Sequence, residues 1–433
     1  MLENDTPRAL QEALQVLERE FAGLPDFQAA DAGGINAVMG EVASRLGDNY
    51  PYFHPLYAGQ MLKPPHSVAR AAYALATWIN PNNHALDGGR ASSEMERQAV
   101  AQIAAMFGWR EHLGHLAGGG TMANLEALWV AGRLHPGKKI AASSQSHYTH
   151  ERISGVLQLR FAKVASDTRG RMDPAALECL LKTGDIGCVV ATLGTTATGS
   201  VDPLPEILAL RDRYGFRVHV DAAYGGYFTL ADNLGAEARA AFDRISEADS
   251  IVIDPHKHGL QPYGCGCVLF RDPAVGTLYQ HDSPATYFSS RQQHLGEISL
   301  ECSRPGASAV ALWATMRLLP LARGGEFARG LSACRRAALA LHARLADDAR
   351  FMVPFEPQLD IAVWAPRGGS AQRIFDEAAR RNLHLALARL PGAFFGSTEP
   401  EVLTLRSVLM KPEHEQWIDR IWEILCEATN HAH

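Results

Sequence analysis

Two residues have the types and positions that a carbonyl cofactor requires. Lys257 closely follows the apolar run 251–253, and Asp221 ends the apolar run 218–220. A lysine amine condenses with the aldehyde of pyridoxal 5'-phosphate (PLP), and a carboxylate can keep the pyridine nitrogen of that cofactor protonated. Ligands of open parallel sheets bind at the carboxyl ends of strands. Either residue alone is more often a turn or capping residue, but the pair predicts a PLP site.

A glycine-rich segment supplies a second motif. Residues 118–124, Gly-Gly-Gly-Thr-Met-Ala-Asn, begin a predicted helix that continues to about residue 131. Glycines at a helix N-terminus let backbone N–H groups approach a phosphate, and the helix dipole favours the anion. The same residues fit a loose dinucleotide fingerprint, but no ribose-binding acid follows the next apolar run. A purely structural helix start remains the alternative.

The elements that position these motifs alternate between strand and helix from about residue 112 to 270. This texture is typical of an α/β domain with a mostly parallel sheet. The predicted strands are residues 140–142, 188–193, 217–220, 250–253 and 267–270. Helices are predicted over 7–22, 92–107 and 307–320, the second with a capping box of Ser93 and Glu96. Residues 49–57 and 63–65 are rich in aromatics and prolines, which favours irregular structure.

After residue 330 the order of predicted helices and strands changes. Helices are predicted over 331–346, 370–381 and 413–427, and strands over 361–364 and 403–408. Helices and strands in this arrangement predict a small C-terminal α+β domain.

Composition narrows the class of protein. The 433 residues are 47% hydrophobic and 20% charged, with a formal net charge of −6 and no basic tract, so nothing favours nucleic acid. The N-terminus lacks the pattern of a signal peptide, and no apolar run approaches a membrane span. We therefore expect a cytoplasmic protein without a membrane partner. Cys265 and Cys267 alone do not make a zinc site, and no metal is predicted.

Residues 219–226, His-Val-Asp-Ala-Ala-Tyr-Gly-Gly, and 254–257, Asp-Pro-His-Lys, resemble the group II PLP-dependent decarboxylases. That family includes glutamate, aromatic-L-amino-acid and tyrosine decarboxylases. Within this family, the archaeal tyrosine/aspartate decarboxylases are the most similar in chain length and in the residues of the Asp-Pro-His-Lys motif. The resemblance extends from about residue 50 to about residue 412.

The resemblance implies the type I PLP-dependent transferase fold. Residues 1–65 would form an N-terminal helix and an irregular segment that contact the dimer partner and the substrate pocket. Residues 66–325 would form the large α/β domain with its mostly parallel central sheet. Residues 326–433 would form the small α+β domain.

The resemblance also implies roles for individual cofactor-binding residues. Lys257 would carry PLP, Asp221 would pair with its ring nitrogen, and Gly120 and Thr121 would hold its phosphate. His147 would stack on the ring and is a candidate proton donor. The other implied cofactor contacts are Thr196, Ala223, Asp254, His256 and Ser303. Because Ser303 would reach the cofactor of the neighbouring subunit, a homodimer with shared active sites is implied.

Substrate contacts follow from the same resemblance. Arg406 would hold the α-carboxylate, and Tyr287 would return a proton to Cα. His54, Tyr57 and Gln60 would line the pocket for the substrate side chain. Aromatic residues there favour an aromatic substrate such as tyrosine, whereas Gln60 and Lys63 would also suit aspartate or glutamate.

The activity predicted from these features is decarboxylation of an L-amino acid to an amine and CO2. An aminotransferase would use the same Lys257 and Asp221. A carbon–carbon lyase similar to sphingosine-phosphate lyase, and a decarboxylating aldehyde synthase, are further alternatives. A non-catalytic homologue would typically have lost one of the two residues, and both are present.

Overall fold

A mixed sheet organises the larger part of the molecule. The computed structural model describes residues 5–23, 33–280 and 294–432. Within these residues the sheet has seven strands in the order β1-β7-β6-β5-β4-β2-β3. They are β1 (Leu113–Ala117), β2 (Lys139–Ser143), β3 (Arg160–Val164), β4 (Ile186–Thr192), β5 (Arg217–Asp221), β6 (Ser250–Ile253) and β7 (Gly266–Phe270).

Neighbouring strands are parallel except at β7, which pairs antiparallel with both β6 and β1. Every residue of β4, β6 and β7 is buried. Apolar runs without alternation are expected where helices cover both faces of a sheet. The predicted mostly parallel α/β architecture is confirmed.

Helices cover this sheet and continue into the C-terminal part. They are α1 (Asp5–Glu20), α2 (Ile35–Leu46), α3 (Ser67–Thr77), α4 (Arg90–Met106), α5 (Gly120–Leu134), α6 (Thr149–Val156), α7 (Pro174–Leu181), α8 (Leu204–Tyr214), α9 (Ala236–Asp243), α10 (Gly306–Leu318), α11 (Glu326–Asp347), α12 (Ala371–Arg380) and α13 (His414–Ala432). Short 3-10 helices lie at Leu86–Gly88, Gly226–Leu230, Ile245–Glu247, Pro273–Tyr279, Leu295–Glu297 and Gly392–Phe395. No helix in the described ranges is both long and apolar enough to span a membrane.

A second, antiparallel sheet lies in the C-terminal part. Its strands, in the order β10-β11-β9-β8, are β8 (Phe351–Met352), β9 (Ile361–Pro366), β10 (Ala386–Pro391) and β11 (Glu401–Val408). Trp364 and Leu405 on the sheet share a buried cluster with Leu341 of α11 and Ile421 of α13. The predicted α+β texture is confirmed, although β8 and β10 were not predicted. The domain boundaries near residues 65 and 325 stay predictions.

The capping box predicted from Ser93 and Glu96 is wrong. The N-cap of α4 is Gly89, which provides no side-chain cap. Glu96 is buried and accepts hydrogen bonds from Arg304 Nη1 at 2.6 Å and from the Leu116 N–H at 3.0 Å. A carboxylate removed from water needs a cation or N–H donors, and these partners outweigh a local cap. Glu96 therefore joins α4 to the end of β1 and to the segment before α10.

The side chains of the two N-terminal helices are largely exposed. The predicted helix 7–22 is found as α1, and α2 follows it without having been predicted. Within the described residues, neither α1 nor α2 has a buried side chain. Phe21, Val38 and Met39 each expose more than half of their surface, at 52%, 60% and 58%. The predicted irregular structure of residues 49–57 and 63–65 is confirmed.

The buried side chain of His414 should make the stability of the fold depend on pH. Its Nδ1 accepts a hydrogen bond from the Lys411 N–H at 3.2 Å, and burial lowers its pKa to about 3. The unfolded chain binds this proton below about pH 6.5 and the folded chain does not. The free energy of unfolding should therefore fall as pH drops from about 6.5 towards 3, by about 1.4 kcal/mol per pH unit for this group.

His414→Asn keeps an acceptor for the Lys411 N–H but cannot titrate. We expect its melting temperature to decline less steeply than that of the wild type between about pH 6.5 and pH 4.5, the window given by the two pKa values. Circular dichroism melts across this range measure the difference. His431→Asn, at an exposed histidine, is the control and should leave the decline unchanged. Equal slopes for His414→Asn and wild type would show that His414 is already protonated in the folded chain.

Candidate active site

A cavity of about 320 Å³ lies at the carboxyl ends of the central strands. β4 ends there at Thr192, β5 at Asp221, and β6 is followed directly by Asp254. Its lining consists of Gly118, Gly119, Gly120, Thr121, Met122, Asn124, His147, Thr149, Thr192, Gly194, Thr196, Asp221, Ala223, Tyr224, Asp254, His256 and Lys257. The structure thus brings together every predicted cofactor-binding residue except Ser303.

Lys257 enters the cavity from the turn after β6. Its Nζ lies 2.9 Å from Asp254 Oδ2, and the Lys257 N–H donates to the Asp254 carbonyl at 2.9 Å. The lysine side chain is 21% exposed, whereas that of Asp254 is 3% exposed. The amine of Lys257 is therefore the counter-ion that the buried carboxylate of Asp254 requires.

Asp221 lies at the end of β5 with only 5% of its surface exposed. Its Oδ2 is 2.8 Å from His150 Nε2, and its Oδ1 accepts a hydrogen bond from the Ala223 N–H at 3.1 Å. Burial alone would raise the pKa of Asp221. The hydrogen bond and charge of His150, together with the charge of Lys257, nevertheless hold this pKa below its usual range. Asp221 is thus an ionised carboxylate suited to a protonated ring nitrogen.

The glycine segment forms the wall of the cavity at the N-terminus of α5. Gly119 has φ +141°, a conformation that favours glycine. A Cβ at Gly120 would lie 2.7 Å from Asp254 Oδ2, so only glycine fits between the helix start and the carboxylate. Backbone N–H groups at this helix start are therefore open to a phosphate, which the helix dipole favours.

His147 occupies the wall between β2 and α6. Its Nδ1 is 2.7 Å from Thr149 Oγ1, and its ring lies against Tyr148 with centroids 4.6 Å apart. Burial lowers the pKa of His147, so the imidazole is largely neutral near pH 7.

Among the described residues no group of three or more His, Cys, Asp or Glu side chains is arranged to hold a metal ion.

These residues fit PLP. The cavity offers an amine for the aldehyde, an ionised carboxylate for the ring nitrogen and a helix N-terminus for the phosphate. Thr192 Oγ1 lines the same cavity and is buried without a hydrogen-bond partner in the described part of the chain. A buried polar atom of this kind is expected where a ligand completes the site.

The predicted substrate residues lie outside the cavity lining. Arg406 is buried, and its guanidinium donates to the carbonyls of Ala197 (3.0 Å), Gly59 (3.1 Å) and Thr196 (2.7 Å). The ring of His54 packs on that of Trp417 at 4.8 Å, and Gln60 is exposed. Their substrate roles, and that of Tyr57, stay predictions.

Ser303 and Tyr287 are the remaining predicted site residues. Ser303 is exposed, and its Oγ accepts a hydrogen bond from Asn82 Nδ2 at 3.2 Å. Tyr287 lies outside the described residues. His150 was not among the predicted site residues, because sequence spacing gives no sign of its contact with Asp221, 71 positions later.

Comparison with known proteins defines the class. Residues 129–365 match the family described as the pyridoxal-dependent decarboxylase conserved domain. Because this match covers more than half of the chain, the protein belongs to that PLP-dependent family.

Two individual relatives are each less than 30% identical to this chain. The chain is 29% identical over 399 residues to an L-tyrosine decarboxylase of Enterococcus faecium, covering 69% of this chain and 65% of that enzyme. It is 26% identical over 378 residues to a probable L-tyrosine/L-aspartate decarboxylase of Methanopyrus kandleri, covering 86% of this chain and 95% of the relative. The match therefore spans slightly less than two thirds of the Enterococcus enzyme.

Solved structures share the fold. Oryza sativa TDC with PLP and tryptamine superposes with a TM-score of 0.80 at 18% identity, covering 99% of both chains. Mouse CSAD in its apo form gives a TM-score of 0.77 at 20% identity, covering 95% of this chain and 91% of the other. The type I PLP fold that the resemblance implied is thereby confirmed.

Proposed function

We propose that the protein removes the α-carboxylate of an L-amino acid as CO2 and releases the amine. The observation that carries this proposal is the placement of Lys257 and an ionised Asp221 in one cavity of a pyridoxal-dependent decarboxylase fold. PLP, when bound, supplies an electron sink conjugated to the substrate Cα.

The protein's own side chains would hold the cofactor and return the proton to the substrate. Lys257 would hold the cofactor through its amine, and Asp254, 2.9 Å from that amine, would be its counter-ion whenever the amine is free. Asp221 would keep the ring nitrogen protonated. A proton must return to Cα after CO2 leaves, and His147 and Tyr287 are the two residues we propose for that step.

An aromatic L-amino acid, with tyrosine foremost, is the substrate class we propose. Tyr52 packs edge-on against Tyr57 at 4.9 Å, and Tyr50 packs against His384 at 4.9 Å. Tyr263 links the same segment to the cavity: its ring contacts that of the cavity residue His256 at 4.7 Å, and its hydroxyl donates to the carbonyl of Met61, four residues after Tyr57. Flat apolar rings of this kind suit an aromatic side chain.

An acidic substrate has less support. Lys63, the cation that would recognise a second carboxylate, donates to the Met410 carbonyl at 3.0 Å. It lines two other cavities and is not part of the cofactor cavity. The relatives named for both tyrosine and aspartate leave either substrate open to experiment.

The decisive experiment measures CO2 and amine release from each of the twenty protein L-amino acids. We expect kcat/KM for tyrosine to exceed that for aspartate and glutamate at least about tenfold, since one well-placed contact is worth about 1.4 kcal/mol. A preference for aspartate would overturn the aromatic assignment. Conversion of PLP to pyridoxamine phosphate without CO2 would instead indicate an aminotransferase.

A substitution of Arg406 tests whether this residue holds the α-carboxylate of the substrate. A guanidinium has five N–H donors, and three are used on backbone carbonyls, which leaves two for a carboxylate. Arg406→Lys removes this paired geometry. We expect KM for the amino acid to rise about tenfold or more, the scale of one bidentate contact, while PLP stays bound.

Steady-state kinetics and the absorbance of bound PLP measure these two quantities separately. Arg389→Lys, at an exposed arginine of the neighbouring strand β10, is the matched control and should leave KM unchanged. An unchanged KM in Arg406→Lys would restrict Arg406 to a structural role.

We also propose that two copies of the chain associate and share their active sites. The exposed apolar side chains of Phe21, directly after α1, and of Val38 and Met39 in α2 belong to the surface that a second copy would cover. Light scattering should give twice the mass of the chain, and Val38→Asp with Met39→Asp should weaken association. A monomeric wild type at micromolar concentration would contradict this proposal.

A further inference from the structure

His150 lies beside the cofactor site without lining its cavity. It belongs to the first turns of α6, and its side chain is fully buried. Its Nε2 is 2.8 Å from Asp221 Oδ2, although 71 positions separate the two residues in the sequence. Any effect of His150 on a bound cofactor therefore passes through the Asp221 carboxylate.

We infer that His150 is a positioning residue, which donates a hydrogen bond from Nε2 to Asp221 and keeps this carboxylate ionised and aimed at the ring nitrogen of PLP. This inference rests on one part of the proposed function, the PLP site, because it takes Asp221 as the partner of the ring nitrogen. It adds a residue that acts on the cofactor from outside the cavity.

The need for such a partner follows from burial. Asp221 is 5% exposed, so water cannot satisfy its oxygens. The Ala223 N–H donates to Oδ1 at 3.1 Å and His150 faces Oδ2 at 2.8 Å. One donor on each oxygen fixes the plane of the carboxylate, and donors that face the ionised form favour it.

The donor in the contact between His150 and Asp221 follows from the chemistry of the two groups. An ionised carboxylate only accepts hydrogen bonds, so the proton of this contact belongs to His150 Nε2. His150 Nδ1 is buried and lacks a hydrogen-bond partner within the described residues. The contact with Asp221 is therefore the polar interaction that holds the ring in place.

Two substitutions separate the hydrogen bond from the bulk of the side chain. His150→Phe keeps a ring of similar size and removes the donor, which leaves Asp221 Oδ2 unpaired. His150→Gln keeps an N–H group near the position of Nε2. His115→Gln is the matched control, because His115 is equally buried and pairs with Glu126 at 3.0 Å away from the cavity lining.

The experiment compares two cofactors on the apoprotein, with no substrate present. One is PLP, and the other is the carbocyclic PLP analogue in which a C–H group replaces the ring nitrogen. Dissociation constants are read from the absorbance of the lysine-bound chromophore. Only PLP uses Asp221, so the ratio of the two constants isolates the contact that His150 supports.

The wild type should bind PLP at least about tenfold more tightly than the analogue, as expected for one charge-assisted hydrogen bond. His150→Phe should lose most of this preference through weaker binding of PLP, with binding of the analogue within about twofold of wild type. His150→Gln and His115→Gln should retain the preference to within about threefold, the scatter of hydrogen-bond energies.

Other results would overturn the inference in recognisable ways. If His150→Phe weakens both cofactors equally, or if His150→Gln behaves as His150→Phe does, His150 only supports the fold. Equal affinity of the wild type for both cofactors would overturn the inference and also the pairing of Asp221 with the ring nitrogen. Failure of the chain to release CO2 would leave the binding ratios, and so the inference, unaffected.

Discussion

Replacing Lys257 by methionine should reduce decarboxylation at least about a thousandfold, which corresponds to about 4 kcal/mol in the activation barrier. Methionine keeps the unbranched shape of the side chain and removes the amine that attaches the cofactor. Asp254 would also lose its counter-ion at 2.9 Å. PLP should still bind through the helix start and Asp221, although less tightly.

Borohydride reduction followed by peptide mapping tests the same residue without an activity assay. In the wild type, reduction should fix PLP to the peptide that contains Lys257, and in Lys257→Met no peptide should carry it. Lys182→Met, at an exposed lysine, is the control and should retain both label and activity. Label on a different lysine of the wild type would show that the cofactor is attached elsewhere.

Asp221→Asn should reduce kcat about a hundredfold to a thousandfold, the cost of removing one preorganised charge from a site. Asparagine preserves the size of the side chain and can still accept the Ala223 N–H, so the fold should persist. It cannot keep the ring nitrogen protonated through its charge, because the amide is neutral. The carbanion that forms as CO2 leaves then loses its stabilisation.

Single-turnover rates with saturating PLP measure this loss without the effect of weaker cofactor binding. Asp212→Asn, an exposed carboxylate in α8, is the control and should behave as the wild type. If Asp221→Asn retains activity within about threefold, a change of less than 1 kcal/mol, the ring nitrogen does not depend on Asp221.

Strand-end motifs could be predicted from the sequence because their determinants are local. Lys257 and Asp221 each follow an apolar run, and parallel strands bring their carboxyl ends to one edge. Gly120 follows from the same reasoning, since a glycine at a helix start is a local signal. The structure places all three in one cavity.

Residues whose partners are distant in sequence could not be predicted in this way. Glu96 was expected to cap its own helix, but it pairs with Arg304, 208 positions later. The substrate role of Arg406 stays a prediction, but its three hydrogen bonds to backbone carbonyls of two other segments could not be read from the sequence. In both cases burial of a charged group selects the partner, and burial depends on the complete fold.

The close approach of Gly266 to Gly119, the glycine with φ +141° in the cavity wall, limits where this protein can change during evolution or redesign. A Cβ at Gly266, the first residue of β7, would lie 2.5 Å from the Gly119 backbone. Alanine at Gly266 would displace the backbone of Gly119 at the start of α5, so only glycine fits there. Variation of the proposed phosphate site is therefore limited from the sheet side, by a residue that does not itself line the cavity.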